Sequence, residues 1–266
     1  LRIITTMWSR SILSVSLWML LHSCSLAISD DGAAPPVNVF PVPQTITIGS
    51  DTVPLSSSFA IKVASGTTTT PHLQEVITRY SAFIPSASAD ENVAVAAGVT
   101  SAEVTITSSS YDLNNSTDMS YSISLSAGAA TVKIGATTSF GAMYALETLS
   151  QLVNVDQKTL PSTIDIHDAP TVGYRGLTID VGRRISPLSL LRNTVQAMSY
   201  TKMNVLHLSL SGPAVRLEIK AFPELTAGLS AQQMYTQKDM IAFVAFAKSY
   251  GVRVIPEIDF PAHASG

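Results

Sequence analysis

From Tyr174 to the end, short apolar runs alternate with longer stretches of helical periodicity, and this alternation restricts the fold more than any other feature of the chain. Leu177-Thr178-Ile179 reads as a strand ending in Asp180. Ser186-Pro187 offers a capping hydroxyl followed by proline at a first helical position, with Leu188, Leu191, Val195 and Met198 at helical spacing behind it. Val205 to Leu210 is the second strand. Thr236-Gln237-Lys238-Asp239 opens a second helix with an apolar face of Met240, Phe243, Val244 and Ala247, and Gly251 stops it. Val252 to Ile255 opens a third strand, and Pro256 predicts that regular pairing ends there.

Strands joined by helices in this order imply parallel crossovers. The expectation for residues 171–266 is therefore the first three β/α units of a truncated TIM (β/α)8 barrel. Functional side chains in such a barrel gather at the C-terminal ends of the strands. Those ends carry Asp180 and Arg183, then Ser211 and Gly212, then Glu257, Asp259 and His263.

Residues 37–170 read differently. Thr45–Ile48, Val104–Thr107, Tyr121–Leu125 and Thr131–Ile134 alternate with period two, as half-buried strands do. Helices are predicted from about Pro71 to Phe83 and from about Ser139 to Val153, with a last strand at Thr163–Ile166 before the Asp168-Ala169-Pro170 break. This is an α+β domain. It carries no chemical constellation, and His72 and His167 read as ordinary surface or boundary residues.

Charged residues make up 13% of the 266, and the net charge of −3 shows no basic excess of the kind a nucleic-acid binder needs. Ahead of the α+β domain, Met7, Arg10, the apolar run Ile12–Leu21 and the small residues Ser23–Ala27 match a secretory signal cleaved after Ala27, so 1–27 are read as upstream residues and signal peptide. Its apolar centre is shorter than the about 20 residues that span a bilayer, so no stable membrane span is expected. Residues 28–36 are a polar, proline-containing linker. Cys24, the one cysteine, falls inside the signal, which leaves no thiolate for a disulfide or a metal. No cofactor or metal is expected. The overlapping sequons at Asn114 and Asn115 sit in a polar loop where a secreted protein carries glycans.

Several of these segments together resemble the β-N-acetylhexosaminidases of glycoside hydrolase family 20. Tyr174–Arg183 is similar to that family's R-G-x-x-x-D-x-x-R opening, Met203-Asn204-Val205-Leu206-His207 to its second strand and Phe222-Pro223-Glu224-Leu225 to the loop that follows. Tyr235–Asp239 resembles the start of its second barrel helix, and Arg253–His263 its third strand. Phe40–Pro43 and the Phe140-Gly141-Ala142 helix are similar to its accessory domain. The resemblance covers roughly Val37 to Gly266 and identifies the chain as an amino-terminal portion of such an enzyme.

It implies removal of terminal non-reducing N-acetylglucosamine or N-acetylgalactosamine by substrate-assisted, retaining catalysis, one of the exceptions to the two-carboxylate scheme. The substrates implied are glycans ending in those sugars, or chitooligosaccharides. It further implies that Arg183 grips sugar hydroxyls, that Asp259 holds Arg183, and that His263 supports the acid glutamate. Arg175 and Asp180 read as structural. The acid/base Asp-Glu pair belongs, by resemblance, to a fourth strand beyond the end of this chain.

The chain departs from the family pattern H-x-H-x-x-D on the second strand: Ser209 stands for the second histidine and Gly212 for the aspartate. That departure keeps a second reading open, a non-catalytic secreted relative that binds N-acetylhexosamine glycans. An unrelated β/α-barrel enzyme is a third, since the fold hosts many chemistries. The expectations are an inactive chain, a barrel portion not stable by itself, entry to the secretory route with a secreted, lysosomal or vacuolar destination, and an assembly state left open, a homodimer included.

Overall fold

The computed structural model describes residues 38–84, 98–212 and 215–259. The expected signal, Cys24, the linker and His263 lie outside those residues.

Strands β1 (Thr45–Ile48), β2 (Thr52–Val63), β3 (Val99–Ile106), β4 (Tyr121–Leu125), β5 (Thr131–Ala136), β6 (Thr159–Pro161) and β7 (Ile164–Asp168) form one mixed sheet in the order β1-β7-β4-β5-β3-β2-β6. Helices α1 (Pro71–Ser81) and α2 (Ser139–Leu152) pack against it. The period-two residues Val104, Ile106, Ile123, Leu125, Val132, Ile134, Ile164 and Ile166 all point into the core beneath those helices. Thr70 caps α1, its hydroxyl accepting from Leu73 N at 3.1 Å, and Thr138 caps α2 in the same way through Gly141 N.

α2 is buried on nearly every side from Ser139 to Leu149. A helix apolar all round needs cover all round, and the second layer supplies it. Met143 approaches Gly251, where an added Cβ would lie 2.7 Å from the methionine methyl.

That second layer is a three-stranded parallel sheet, β10-β9-β8, built from β8 (Gly176–Asp180), β9 (Val205–Ser209) and β10 (Arg253–Glu257). Helices α3 (Leu188–Tyr200) and α4 (Gln237–Ser249) cover one face, burying Leu191, Val195, Met198, Leu206, Leu208, Leu210 and Phe243. Alternating with helices and with one face covered, this sheet is barrel-like.

Three local readings need correction. Ser186 does not cap α3: the helix begins after Pro187 without a side-chain cap, and Ser186 N and O are both held by the Tyr235 hydroxyl. Pro256 does not end β10. It stays in register opposite Leu208, and Glu257 follows opposite Ser209. β10 is an edge strand among the described residues, where a missing N–H leaves no neighbour unbonded. His72 is no surface residue: it is 5% exposed. Its Nε2 donates to the Ser249 carbonyl at 3.1 Å, so its Nδ1 is the acceptor for the Ser139 hydroxyl at 2.7 Å, and burial pushes its pKa below the ordinary histidine value.

Lys202 joins the two layers most tightly. It occupies the turn after α3 with φ 56°, is 4% exposed, and donates through Nζ to Tyr121 Oη, Thr148 Oγ1 and Asp168 Oδ2. Its own carbonyl accepts from Tyr144 Oη and Arg175 Nε. Arg175 spends its remaining donors on Val172 O and Tyr144 Oη, and so serves structure rather than a ligand.

Candidate active site

The face of the three-stranded sheet turned away from α3 and α4 is set by strand periodicity. Ile179, Leu206, Leu208 and Val254 pack towards the helices, so Thr178, Asp180, His207, Ser209, Ile255 and Glu257 share the opposite face. Asp180, Ser209 and Glu257 stand side by side in register at its C-terminal edge. Three polar groups therefore converge where a parallel sheet presents its strand ends.

Two side-chain pairs organise that edge. His207 Nε2 lies 2.7 Å from Glu257 Oε2, joining β9 to β10 diagonally across the open face. Arg183 Nε lies 3.3 Å from Asp180 Oδ2, and Arg183 N donates to Asp180 Oδ1 at 3.2 Å. One carboxylate thus fixes both the backbone and the side chain of Arg183. The guanidinium projects into solvent with 75% of its side chain exposed, a fork of donors held from behind and free in front.

Backbone contact brings the β8 and β9 ends together. A Cβ at Gly182 would fall 1.9 Å from Ser211 O, and one at Gly212 would fall 3.1 Å from Gly182 C. Only glycine at 182 permits that approach. Arg216 pins the following loop by donating from Nε to Gly182 O at 3.1 Å and from Nη1 to Gln233 O. Ser211 Oγ accepts from Asp259 N at 2.9 Å, which ties the end of β10 to the end of β9.

Arg183 and Asp259 therefore both lie at the C-terminal edge, but the ion pair of Arg183 among the described residues is with Asp180 rather than Asp259. His263 lies outside the described residues. Asn114 and Asn115 are exposed in the loop before β4, where Asn114 Oδ1 accepts from Ser116 N and Oγ. The His207–Glu257 pair was not foreseen. Its signal was present: both residues occupy the polar phase of otherwise apolar strands.

The fold and this edge define a β/α scaffold with its polar groups gathered at the strand ends. Residues 173–266 match the family model described as "Glycosyl hydrolase family 20, catalytic domain", and residues 39–152 match "beta-acetyl hexosaminidase like". The chain belongs to glycoside hydrolase family 20. It is 39% identical over 159 residues to a beta-hexosaminidase of Emericella nidulans, covering 58% of this chain and 26% of that one. It is 33% identical over 244 residues to beta-hexosaminidase subunit A2 of Dictyostelium discoideum, covering 90% of this chain and 44% of that subunit. The crystal structure of Flavobacterium johnsoniae chitobiase superposes with a TM-score of 0.72 at 26% identity, covering 86% of this chain and 35% of the chitobiase. The chain thus spans less than half the length of these relatives.

Proposed function

We propose that this chain carries the sugar-gripping part of an exo-β-N-acetylhexosaminidase acting on terminal non-reducing N-acetylhexosamine residues. The observation that carries the reading is the Arg183 guanidinium, paired with Asp180 yet open to solvent at a C-terminal strand end. A planar fork in that state suits paired hydroxyls on a pyranose edge. The beta-hexosaminidase and chitobiase names of the relatives supply the sugar.

In this reading the three-stranded sheet is the opening of a (β/α)8 barrel, and catalysis is substrate-assisted. The 2-acetamido oxygen of the sugar attacks the anomeric carbon while a carboxylic acid protonates the leaving oxygen, and the same group later activates water. Arg183 holds the sugar, Asp259 lines the same edge, and His263 steadies the acid. The acid/base Asp-Glu pair is assigned to a fourth strand of that barrel, not to Asp180, Glu257 or Asp259. The precursor enters the secretory route, with a secreted, lysosomal or vacuolar destination and a glycan at the Asn114–Asn115 loop; a homodimer is the assembly this reading admits.

Saturation-transfer NMR with N-acetylglucosamine tests the reading. Binding is expected for the native chain and weakened in Arg183→Ala, with no release of chromophore from a chromogenic N-acetyl-β-glucosaminide. Binding unchanged in Arg183→Ala refutes the grip. Hydrolysis abolished by Arg183→Ala refutes the assignment of the acid/base pair elsewhere.

A non-catalytic glycan-binding relative is the second reading. It is favoured by Gly212, where an aspartate Cβ would press to within 3.1 Å of the Gly182 backbone. The edge is built around glycine at the position where the family pattern has a carboxylate.

A further inference from the structure

An aromatic-walled cavity lies away from the strand-end site, at the start of α1. It has a volume of about 490 Å³ and is lined by Thr69, Pro71, His72, Glu75, Ser109 and Tyr111 among others. That size falls within the about 300–1,000 Å³ of small-molecule sites.

Its wall is rigid. The Tyr111 ring stacks on Phe140 at 9° with centroids 5.6 Å apart, and His72 leans on both rings at 4.9 and 4.6 Å. Phe140 is wholly buried and both nitrogens of His72 are bonded, so neither can swing away. Tyr111 nevertheless remains 39% exposed. An exposed tyrosine with a pre-stacked back presents area to a ligand without losing rotamer freedom on binding.

The rim is polar and unspent. The Thr69 and Ser109 side chains are exposed, and their hydroxyls make no hydrogen bond among the described residues. Arg79 takes one oxygen of Glu75 at 2.8 Å and leaves the other open. Lys248 Nζ reaches over the Tyr111 ring, 4.2 Å from its centroid. An ammonium there covers a face of the ring, and at an exposed site it is held by only about 0.5–1 kcal/mol, so a ligand can displace it.

We propose that this cavity is an ancillary saccharide-binding site, with Tyr111 as the stacking platform. A pyranose has an apolar C–H face, whose hydrogens carry slight positive charge, and an edge of hydroxyls. The face matches the Tyr111 ring, and the edge matches Thr69, Ser109, the free Glu75 oxygen and Lys248. A strongly charged ligand fits less well, because Glu75, Arg79 and Lys248 leave no large charge of one sign. The site binds a sugar unit of a longer glycan and holds it beside the molecule without chemistry of its own.

The choice of probe rests on the function proposed above; the ring-and-rim geometry does not. The N-acetylglucosamine trisaccharide is titrated by saturation-transfer NMR and calorimetry into the native chain, Arg183→Ala, Tyr111→Leu, Tyr111→Trp and the Arg183→Ala/Tyr111→Leu double variant, with matched circular dichroism as the folding control. Arg183→Ala is expected to retain one site, which Tyr111→Leu weakens about tenfold and Tyr111→Trp preserves. The Leu and Trp variants keep an apolar body against Phe140, so loss in Leu alone isolates the aromatic face. Absence of trisaccharide binding in Arg183→Ala, or equal binding with and without Tyr111→Leu on that background, overturns the site. Capture of a proline-rich peptide at Tyr111 with no saccharide binding overturns it too. If the native chain and Arg183→Ala bind alike while Tyr111→Leu binds nothing, this site stands and the strand-end reading falls.

Discussion

Replacing Lys202 by methionine tests how the two sheets are joined. The lysine ammonium has three N–H bonds and finds three acceptors, Tyr121 Oη at 2.7 Å, Thr148 Oγ1 at 2.8 Å and Asp168 Oδ2 at 3.2 Å. Methionine keeps the length of the side chain and removes the charge. Asp168, only 13% exposed in its side chain, then keeps the Gln44 N–H at 3.2 Å but loses its cation. Tyr121 and Thr148 still bond each other at 2.7 Å. Removing one partner of a buried pair costs about 3–5 kcal/mol. The surviving hydroxyl pair and the apolar fit of methionine place the expected loss near the lower bound, about 3 kcal/mol. The left-handed φ of residue 202 is common to both proteins and cancels.

Urea unfolding of the native chain, Lys202→Met, Asp168→Asn and the double variant reads this directly. With Asp168→Asn already present the Lys202→Met loss should shrink to about 1 kcal/mol, a coupling near 2 kcal/mol. A single-variant loss below about 1 kcal/mol that is equal in both backgrounds refutes the account. The alkaline limb gives an independent check. Burial holds the Lys202 pKa below the ordinary lysine value, so the unfolded chain binds that proton more tightly. Stability therefore rises as pH climbs from the folded-state value towards the ordinary one, and Lys202→Met should lack that rise.

Burial raises the Glu147 pKa, so its stabilising share is present below the ordinary carboxylate value and is lost as pH rises through the folded-state value. Glu147→Gln, which still accepts from Tyr80 Oη, should flatten the fall in melting temperature between acid and neutral pH; an unchanged profile counts against this. Gly182→Ala places a methyl 1.9 Å from Ser211 O and should cost about 2 kcal/mol or more in thermal unfolding. A melting curve matching the native chain would show that the β8 and β9 ends do not touch as described. A double-mutant cycle of His207→Ala and Glu257→Ala should show coupling near 1 kcal/mol, modest because both side chains are partly exposed. Purified residues 171–266 should show no cooperative, monomeric melt, since they lack α2 and the Lys202 acceptors; a sharp transition would contradict this.

What was legible in the sequence followed distance along the chain. The start of α4 was readable because Thr236 accepts from Asp239 N three residues away and Gly251 supplies the φ of 71° that ends the helix. Strand β2 was invisible: Ser56-Ser57-Ser58 breaks its alternation, and its register slips between Leu55 and Ala60. What holds it in the sheet is pairing with β3 on one side and β6 on the other, neither of which is local. His72 was misread for the same reason, since its bonding groups on Ser139 and Ser249 are 67 and 177 residues away. The strand-end edge divides along this line as well. Period two places Asp180, His207, Glu257 and Asp259 on one face without knowledge of the fold. It cannot choose which carboxylate meets Arg183, because an arginine three residues beyond a strand end can turn back on its own strand or reach across to another. Asp180 wins that choice through one short turn that satisfies both the Arg183 amide and its guanidinium. The arginine is thus oriented by its own strand, and that orientation does not depend on strand β10 closing beside it.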